Sequence, residues 1–276
     1  MSSTQEKYRA LQDRLRHLAG AGDASPRGVA VAFSGGVDST LLLWAAHEAL
    51  GDDALAITAS SCSSPARERA EAQAFCRDGG IAQVLFDPRQ MEIDAFRHNR
   101  EDRCYWCKRA LFERMSRIAE ERGLAAVVEG ANVDDAGEHR PGLVALRELS
   151  VASPLRDVGL TKREIRQLSR ELGLPTWDKR SCACLATRFP YGETLDEEKL
   201  DRVDRAEQSL LDMGLRQARA RVHGDVVRIE VSPEDMHRVM EDETRRAICR
   251  ELKALGCTYV TLDLEGYRTG SMDERP

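Results

Sequence analysis
The chain lacks the long apolar run that a membrane-spanning helix needs, and its first twenty residues are charged rather than typical of a signal peptide. It also lacks an excess of basic residues, because 41 Lys and Arg stand against 47 Asp and Glu and give a formal charge of −6. That balance disfavours nucleic acid as a partner. With 42% hydrophobic and 32% charged residues among 276, we expect a globular cytoplasmic protein with no membrane contact.

Two common phosphate-binding motifs are missing as well, the GxxxxGK(S/T) loop and the GxGxxG loop. A different glycine loop, Ser34-Gly35-Gly36-Val37-Asp38-Ser39, joins an apolar run to a helical stretch. The glycines let the backbone turn sharply, and the amides at the start of the following helix favour an anion. The loop therefore predicts a phosphate cradle. The alternative is a plain turn in which Asp38 and Ser39 only cap the helix.

Apolar runs alternate with helical stretches over residues 1–190, which predicts an α/β fold with a doubly wound parallel sheet. The predicted strands cover residues 29–33, 54–59, 81–86, 125–129 and 150–155. A Thr161-x-x-Glu164 capping box begins a later helix. Residues 191–276 predict a smaller α+β domain, with helices over 195–213 and 233–255 and strands over 219–223, 226–231 and 258–264. The first two of these strands are predicted to pair around His223-Gly224-Asp225.

The ends of the predicted strands carry small and polar residues. Ser34 to Ser39, Ser60 and Glu129-Gly130 follow the first, second and fourth strands. Ligands of doubly wound sheets gather at the carboxyl ends of the strands, near the switch in strand order, so we expect these residues to line one site. Asp38 would orient a magnesium ion there, since a carboxylate beside phosphate is repelled unless a cation lies between them.

Eight cysteines in a chain of this kind suggest thiols or metal ligands more than disulfides. Cys104 and Cys107 form a Cys-x-x-Cys pair, and Cys182-Ala183-Cys184 follows about eighty residues later. The spacing leaves three interpretations open: a structural zinc with four sulfur ligands, an iron–sulfur cluster, or a redox pair at a helix N-terminus. The other four cysteines are isolated, and we expect them to be small buried side chains.

The loop resembles the PP-loop of the N-type ATP pyrophosphatases, which include NAD and GMP synthetases and tRNA thiolases. A more specific resemblance covers residues 28–270. Its motifs are similar to those of the LarE family, the sulfur transferases that build the nickel-pincer nucleotide cofactor of lactate racemase. The segments that carry it are Asn132-Val133-Asp134-Asp135, His139-Arg140-Pro141-Gly142, Ser153-Pro154-Leu155, Leu160-Thr161-Lys162, Leu174-Pro175-Thr176-Trp177-Asp178-Lys179 and Cys184-Leu185-Ala186-Thr187-Arg188-Phe189-Pro190-Tyr191-Gly192.

The resemblance implies an activity. Enzymes of this family use ATP and Mg2+ to adenylate a carboxylate of pyridinium-3,5-biscarboxylic acid mononucleotide, release pyrophosphate, and replace the activated oxygen with sulfur. Members with three cysteines, matching Cys104, Cys107 and Cys184, are thought to hold a [4Fe-4S] cluster whose open iron carries a sulfide. Other members give up the sulfur of the residue matching Cys184. The family also implies a sulfide donor and a homo-oligomer, often a hexamer, whereas Cys182 has no family role.

The resemblance also assigns residues in the second predicted domain. Arg219 and Arg221 match an Arg-x-Arg pair that contacts the substrate phosphate, and Glu207 matches an acidic residue near a metal. Arg140 and Arg188 are weaker candidates for binding the substrate. Without the resemblance, the Arg-x-Arg pair would equally suit two solvated arginines on an edge strand. The second domain is therefore expected to serve substrate binding or oligomerisation.

Three other functions compete with sulfur transfer to a small nucleotide. A tRNA thiolase would need a basic face, which the net charge disfavours. An amide-forming synthetase would leave the cysteines idle, and a non-enzymatic nucleotide-binding or zinc-binding module would not turn over ATP. For the loop itself, we expect Gly36→Ala to damage ATP use through backbone geometry, unlike the same change at Gly51.

Overall fold
The computed structural model describes residues 3–20, 27–137 and 141–273. These residues form two units. The first consists of Met1–Ser61, Ala66–Arg89 and Asp102–Cys182, and the second of Cys62–Pro65, Gln90–Glu101 and Ala183–Pro276. The sequence placed a single boundary at residue 190, and nothing in its composition marks the two short segments that leave the first unit for the second.

The first unit contains a four-stranded, wholly parallel sheet with the strand order β3-β2-β1-β4. Its strands are β1 (Val29–Ala32), β2 (Ala54–Ala59), β3 (Gln83–Phe86) and β4 (Ala126–Val128). Each strand comes from an apolar run, as expected for strands whose two faces are both covered. The parallel α/β prediction is confirmed. Because β1 pairs with β2 and β4, the ends of these three strands are neighbours.

Helices cover both faces of this sheet. In β1, Val29 and Val31 pack in one apolar cluster and Ala30 packs in another, as the alternation of a strand requires. The helices of this unit are α1 (Ser3–Leu18), α2 (Val37–Leu50), α3 (Ala66–Asp78), α5 (Arg103–Glu121), α6 (Pro141–Glu148), α7 (Pro154–Asp157) and α8 (Lys162–Glu171), while α4 (Asp94–Arg97) belongs to the second unit. The first cluster takes residues from α1, α2 and α8, among others, and the second takes residues from α5 and α6.

The fifth predicted strand, over residues 150–155, is wrong. Only Ala152 pairs with the sheet, through an isolated parallel bridge to Val128. Ser150 lies in the left-handed region at φ 55°, and Pro154, which has no amide hydrogen to donate, begins α7. A strand confined between these two residues has no room to extend.

The second unit contains a three-stranded mixed sheet in the order β5-β6-β7. β5 (Ala218–His223) and β6 (Val226–Val231) form the predicted antiparallel hairpin, and β7 (Tyr259–Leu262) runs parallel to β6. Besides α4, its helices are α9 (Glu197–Asp212), α10 (Met236–Met240) and α11 (Asp242–Ala254).

Short 3-10 segments occur in both units, at Gly51–Asp53, Gln90–Glu92, Val133–Gly137, Leu185–Arg188 and Pro233–Asp235.

The long helix predicted over residues 233–255 is divided in the structure. Glu241 is extended, with φ −60° and ψ 136°, and separates α10 from α11. Asp242 and Glu243 then occupy the first turn of α11, where negative charge favours a helix N-terminus. Helical periodicity persists across such a break, so the pattern alone did not reveal it.

The capping box that begins α8 is confirmed and also joins α8 to α1. Glu164 bonds back to the amide and hydroxyl of Thr161, and Lys7 of α1 places its ammonium 2.8 Å from the Glu164 carboxylate. The bonds from Lys7 and Thr161 lower the pKa of Glu164 from 4.5 to about 2. This carboxylate therefore stabilises the folded state in its charged form.

We expect Glu164→Gln to reduce the free energy of unfolding at pH 7 by about 1–2 kcal/mol, since water around the partly exposed Lys7 screens the pair. Because the pKa is depressed on folding, the contribution is complete above pH 4.5 and disappears as the pH falls to about 2. Urea unfolding of both proteins at pH 7 and pH 2.5 measures the difference. Asp13→Asn, which removes an exposed ion pair of α1, is the control. An equal difference at both pH values would contradict the prediction.

Candidate functional site
The predicted phosphate loop lies at the carboxyl end of β1, directly before α2. The hydroxyl of Ser39 makes two bonds within the loop: it donates to the carbonyl of Gly36 at 3.1 Å and accepts a hydrogen bond from the backbone amide of Ser34 at 3.3 Å. Gly36 is the N-cap residue of α2 and no side chain caps it, so the interpretation of Asp38 and Ser39 as mere helix caps is not what the structure contains. The first amides of a 14-residue helix are thereby available to an anion.

The loop needs glycine at position 35 rather than at position 36. Gly35 has φ +74°, and a Cβ atom there would lie 3.0 Å from the Cβ of Ala72 in α3. Gly36 has φ −79°, and its Cβ would lie 3.5 Å from the nearest atom, the hydroxyl of Ser34. The prediction that Gly36→Ala would strain the backbone is therefore wrong, because the strained position is Gly35. Gly130 permits a second close approach, because a Cβ there would lie 3.1 Å from the amide of Ser39.

We expect Gly35→Ala to abolish anion binding at the loop and to destabilise the fold by about 1–2 kcal/mol, the strain of a left-handed alanine. Gly159→Ala is the matched control: its φ of +71° imposes the same strain, but its Cβ would meet no atom within 4 Å. Pyrophosphate binding measured by calorimetry and unfolding in urea distinguish the two variants. Unchanged pyrophosphate affinity in Gly35→Ala would contradict the loop assignment.

Asp38, predicted to orient magnesium, is already paired with a cation. Its carboxylate contacts the ammonium of Lys162 at the start of α8 and accepts a hydrogen bond from the side-chain amide of Asn132 at 3.3 Å. None of the sequence motifs gives Lys162 a role. Its position directly after the capping residue Thr161 was the available signal, since a lysine is unfavourable at the positive end of a helix unless an anion lies nearby.

The other predicted strand-end residues lie where the topology requires. Ser60 is exposed at the end of β2, and its amide donates to the carbonyl of Phe86 at 2.8 Å. Glu129 follows β4 and is buried; it accepts the hydroxyl of Ser153 and, at 3.0 Å, the amide of Ala131. Burial raises the pKa of Glu129 above the usual carboxyl range, and these bonds only partly offset it. The ends of β1, β2 and β4 thus bring Ser34 to Ser39, Ser60 and Glu129 to one edge of the sheet.

Of the clustered cysteines, three are exposed and Cys107 is half-buried. Of the four isolated cysteines, Cys76 and Cys257 are buried as expected, whereas Cys62 and Cys249 are half-buried. Cys104 and Cys107 occupy the first turn of α5, where residues three apart share one face, with Cys104 exposed. Cys184 is exposed in the second unit, directly before Leu185–Arg188. Burial raises the pKa of Cys76 to about 12, which makes that thiol inert near neutral pH. Within the described residues, no three His, Cys, Asp or Glu side chains are grouped closely enough to hold a metal ion.

The basic residues predicted for the second unit are buried in ion pairs rather than solvated. Arg188 is wholly buried and binds Glu207 through two hydrogen bonds of 2.8 and 2.9 Å. Arg219 lies 4.0 Å from the same carboxylate, and Arg221 bonds to Glu230 at 2.9 Å. The second predicted magnesium ligand, Glu207, is therefore also paired with arginine. Arg140 lies outside the described residues.

Arg188 also fixes the backbone that carries Cys184. Its guanidinium donates to the carbonyls of Ala183 at 2.9 Å and Cys184 at 3.1 Å. Asn99, which no sequence motif indicates, holds the following residues in a similar way: its side-chain amide donates to the carbonyls of Phe189 and Pro190 at 3.1 and 2.7 Å. Cys184 therefore stands on a backbone segment that buried side chains hold in place.

Comparison with known proteins places these features in a wider group. No protein-family model matches the chain. An uncharacterized protein of Synechocystis is 42% identical over 243 residues, 88% of this chain and 91% of that protein. The pyridinium-3,5-bisthiocarboxylic acid mononucleotide synthase of Lactiplantibacillus plantarum is 35% identical over 247 residues, 89% of each chain. One subunit of the glutamine-hydrolyzing GMP synthase of Methanocaldococcus jannaschii is 28% identical over 162 residues, 55% of this chain and 52% of that subunit.

In the part of the chain that the structure describes, no helix has the length and apolarity to span a membrane.

Proposed function
This chain belongs to the family of pyridinium-3,5-bisthiocarboxylic acid mononucleotide synthases, and we propose that it is an ATP-dependent sulfur transferase. Its substrate would be pyridinium-3,5-biscarboxylic acid mononucleotide, and its product the corresponding thiocarboxylate. The observation that carries the proposal is the similarity to a synthase of that name along 89% of both chains, a span that includes both structural units.

The first unit would supply the nucleotide chemistry, as a doubly wound PP-loop domain of the ATP pyrophosphatase type. A carboxylate oxygen of the substrate would attack the α-phosphorus of ATP, and pyrophosphate would leave. The glycine loop supports this step, because its free helix amides favour the leaving pyrophosphate. Lys162, beside Asp38, adds a cation at the same helix end. The similarity to part of a GMP synthase supports the same kind of loop chemistry.

The second step would exchange oxygen for sulfur. An anionic sulfur would attack the acyl carbon of the adenylate, and AMP would leave with the former carboxylate oxygen. Holding the sulfur close to that carbon lowers the barrier by removing the entropy cost of encounter. Cys184, exposed on a backbone held by Arg188, is the residue that we propose for this step.

Two sources of the sulfur remain in the proposal. In a cluster-bearing form, Cys104, Cys107 and Cys184 would be the ligands of a [4Fe-4S] cluster, which would supply a replaceable sulfide at its open iron. Within the described residues these thiols do not form a group close enough to hold a metal ion, so the thiolate chemistry suits the cluster but their arrangement does not. Otherwise the Cys184 thiolate attacks the acyl carbon and forms a thioester as AMP leaves. Loss of the Cα proton then breaks the Cβ–S bond, so that the sulfur stays on the substrate as the thiocarboxylate and dehydroalanine remains at position 184. For Mg2+, the donor chemistry of Asp38 fits, but the ion would have to compete with Lys162 for the carboxylate.

The substrate phosphate would bind in the second unit. Arg219 and Arg221 lie two residues apart on β5 and face the same side of the strand, which suits a phosphate group. Both arginines are buried, and Arg221 is paired with Glu230, so a phosphate must displace that carboxylate or bind the guanidinium together with it.

We also propose that the protein forms a homo-oligomer, with a hexamer as one form, and that a separate donor supplies sulfide. Residues 191–276 would serve substrate binding or assembly.

The test is an anaerobic assay with ATP, Mg2+ and the pyridinium biscarboxylate nucleotide. We expect pyrophosphate release that depends on this nucleotide, together with a product that mass spectrometry identifies as the thiocarboxylate. Iron, sulfide and zinc are quantified in the same preparation. Pyrophosphate release with tRNA in place of the nucleotide would favour the thiolase, and zinc without any turnover would favour a non-enzymatic module.

A further inference from the structure
A lysine to which the sequence motifs assign no role binds the backbone of the phosphate loop. Lys179 lies near the end of the first unit, 144 residues from the loop, and donates to the carbonyl of Gly35 at 3.0 Å. Its ammonium also contacts Glu68 at 2.7 Å and Glu71 at 2.6 Å, both on α3. An ammonium has three hydrogens to donate, and these three acceptors use all of them.

The contact is charged and partly buried, with Glu71 on its exposed side. The side chain of Lys179 is 14% exposed and that of Glu68 is 11% exposed. Burial alone would lower the pKa of Lys179, but its bonds to Glu68 and Glu71 raise it above the ordinary value, so the lysine remains a cation. The backbone at Lys179 is fixed as well, because Arg166 of α8 donates to its carbonyl at 2.8 Å.

The consequence for the loop follows from the planar peptide. The carbonyl of Gly35 and the amide of Gly36 belong to one peptide group, and in a trans peptide they point in opposite directions. Lys179 holds the carbonyl on the side of α3, so the Gly36 amide points to the other side, where the hydroxyl of Ser34 accepts it at 3.4 Å. That bond is long, and a phosphate oxygen can replace it.

Glycine at position 35 would otherwise leave this peptide free to turn, since glycine occupies many backbone conformations. Gly35 is buried close to α3, where an added Cβ would lie 3.0 Å from the Cβ of Ala72, but it has no side chain whose packing could set the direction of the peptide. The hydrogen bond from Lys179 therefore favours the direction in which the Gly35 carbonyl faces α3.

We propose that Lys179 is a positioning residue for the phosphate loop: by binding the Gly35 carbonyl it aims the Gly36 amide at the pyrophosphate end of ATP. The proposal rests on the proposed function, in which this loop binds ATP. It predicts a role in nucleotide use for a residue that does not itself touch the nucleotide.

The test compares Lys179→Met with a double variant that also carries Glu71→Gln. Lys179→Met leaves two carboxylates without their cation, whereas the double variant restores the net charge of one negative that the wild-type trio has. Neither variant can bind the Gly35 carbonyl. We expect both to raise the KM for ATP in pyrophosphate release by roughly tenfold or more, as loss of a hydrogen bond from a charged group implies.

The control is Lys199→Met, because Lys199 makes a similar contact in the second unit, with the carbonyl of Thr194 at 2.7 Å and Glu193 at 2.9 Å. We expect it to leave the KM for ATP unchanged. Hydrogen exchange at the Gly36 amide supplies a readout independent of turnover: it should be faster in both Lys179 variants and unaltered in Lys199→Met.

The outcomes separate the two proposals. If wild-type protein releases no pyrophosphate, the proposed function fails. If wild-type protein is active and the double variant recovers the wild-type KM, the effect of Lys179 is only one of charge and the positioning role is overturned. The same holds if Lys179→Met keeps the wild-type KM or an equally protected Gly36 amide.

Discussion
Cys184→Ala is expected to reduce thiocarboxylate formation to the background level, while pyrophosphate release dependent on the substrate continues. In the proposed function, the loop after β1 serves activation of the carboxylate, and Cys184, which lies in the second unit, serves only sulfur delivery, so the two steps should separate. Mass spectrometry of the nucleotide product and a coupled pyrophosphate assay measure the two steps in one reaction. Loss of both activities together would contradict this division of labour.

The matched control is Cys249→Ala, which removes a half-buried, isolated thiol of α11 and should leave both steps intact. Cys104→Ala then separates the two sulfur sources. If three thiols hold a cluster, this variant loses sulfur transfer as Cys184→Ala does. If Cys184 gives its own sulfur, Cys104→Ala still forms one thiocarboxylate per chain, and the mass of the spent protein falls by one H2S.

Arg188→Ala is expected to be the most destabilising single change in the second unit, with a loss of about 3–5 kcal/mol. The reason is the partner left behind. Glu207 has a side chain only 7% exposed, and it would lose two charged hydrogen bonds and retain only the amide of Ala220 at 3.1 Å and the more distant Arg219. Urea unfolding measures the loss, and hydrogen exchange of peptides from residues 183–273 assigns it to this unit.

Arg202→Ala is the control, because Arg202 makes an exposed pair with Glu198 on α9 and should contribute no more than about 0.5 kcal/mol. The double variant Arg188→Met with Glu207→Leu should lose less than Arg188→Met alone, since replacing both charges removes the uncompensated carboxylate. If Arg188→Ala were no more destabilising than Arg202→Ala, the ion pair would not support the segment that carries Cys184.

Secondary structure was predicted correctly where residues close together in the sequence determine it. The apolar runs that became β1, β2, β3 and β4, and the hairpin of β5 and β6, follow from side-chain periodicity and local turn chemistry. The capping box of Thr161 and Glu164 lies within four residues. The same local pattern failed at residues 150–155 and at Glu241, where a proline or a change of backbone angle ended an element within an otherwise suitable pattern.

The site divides in the same way. The glycine loop, the strand-end residues and the clustered cysteines could be proposed from the sequence because each is a short motif. Asn99 and Lys179 were missed because each acts on a distant backbone carbonyl, and the sequence does not show which carbonyl lies within reach. The sequence indicated that Arg188 binds the substrate. In the structure its guanidinium donates hydrogen bonds to Glu207 and to the carbonyl of Ala183.

The sequence by itself determined the order of elements, the parallel sheet, the place of the phosphate loop at the end of the first strand, and the family resemblance. Only the tertiary structure decided which cations accompany that loop: Lys162 meets Asp38 across 124 residues, and Lys179 meets Gly35 across 144. The physical reason is that backbone conformation depends on neighbours along the chain, whereas an ion pair depends on the path that brings two distant side chains together.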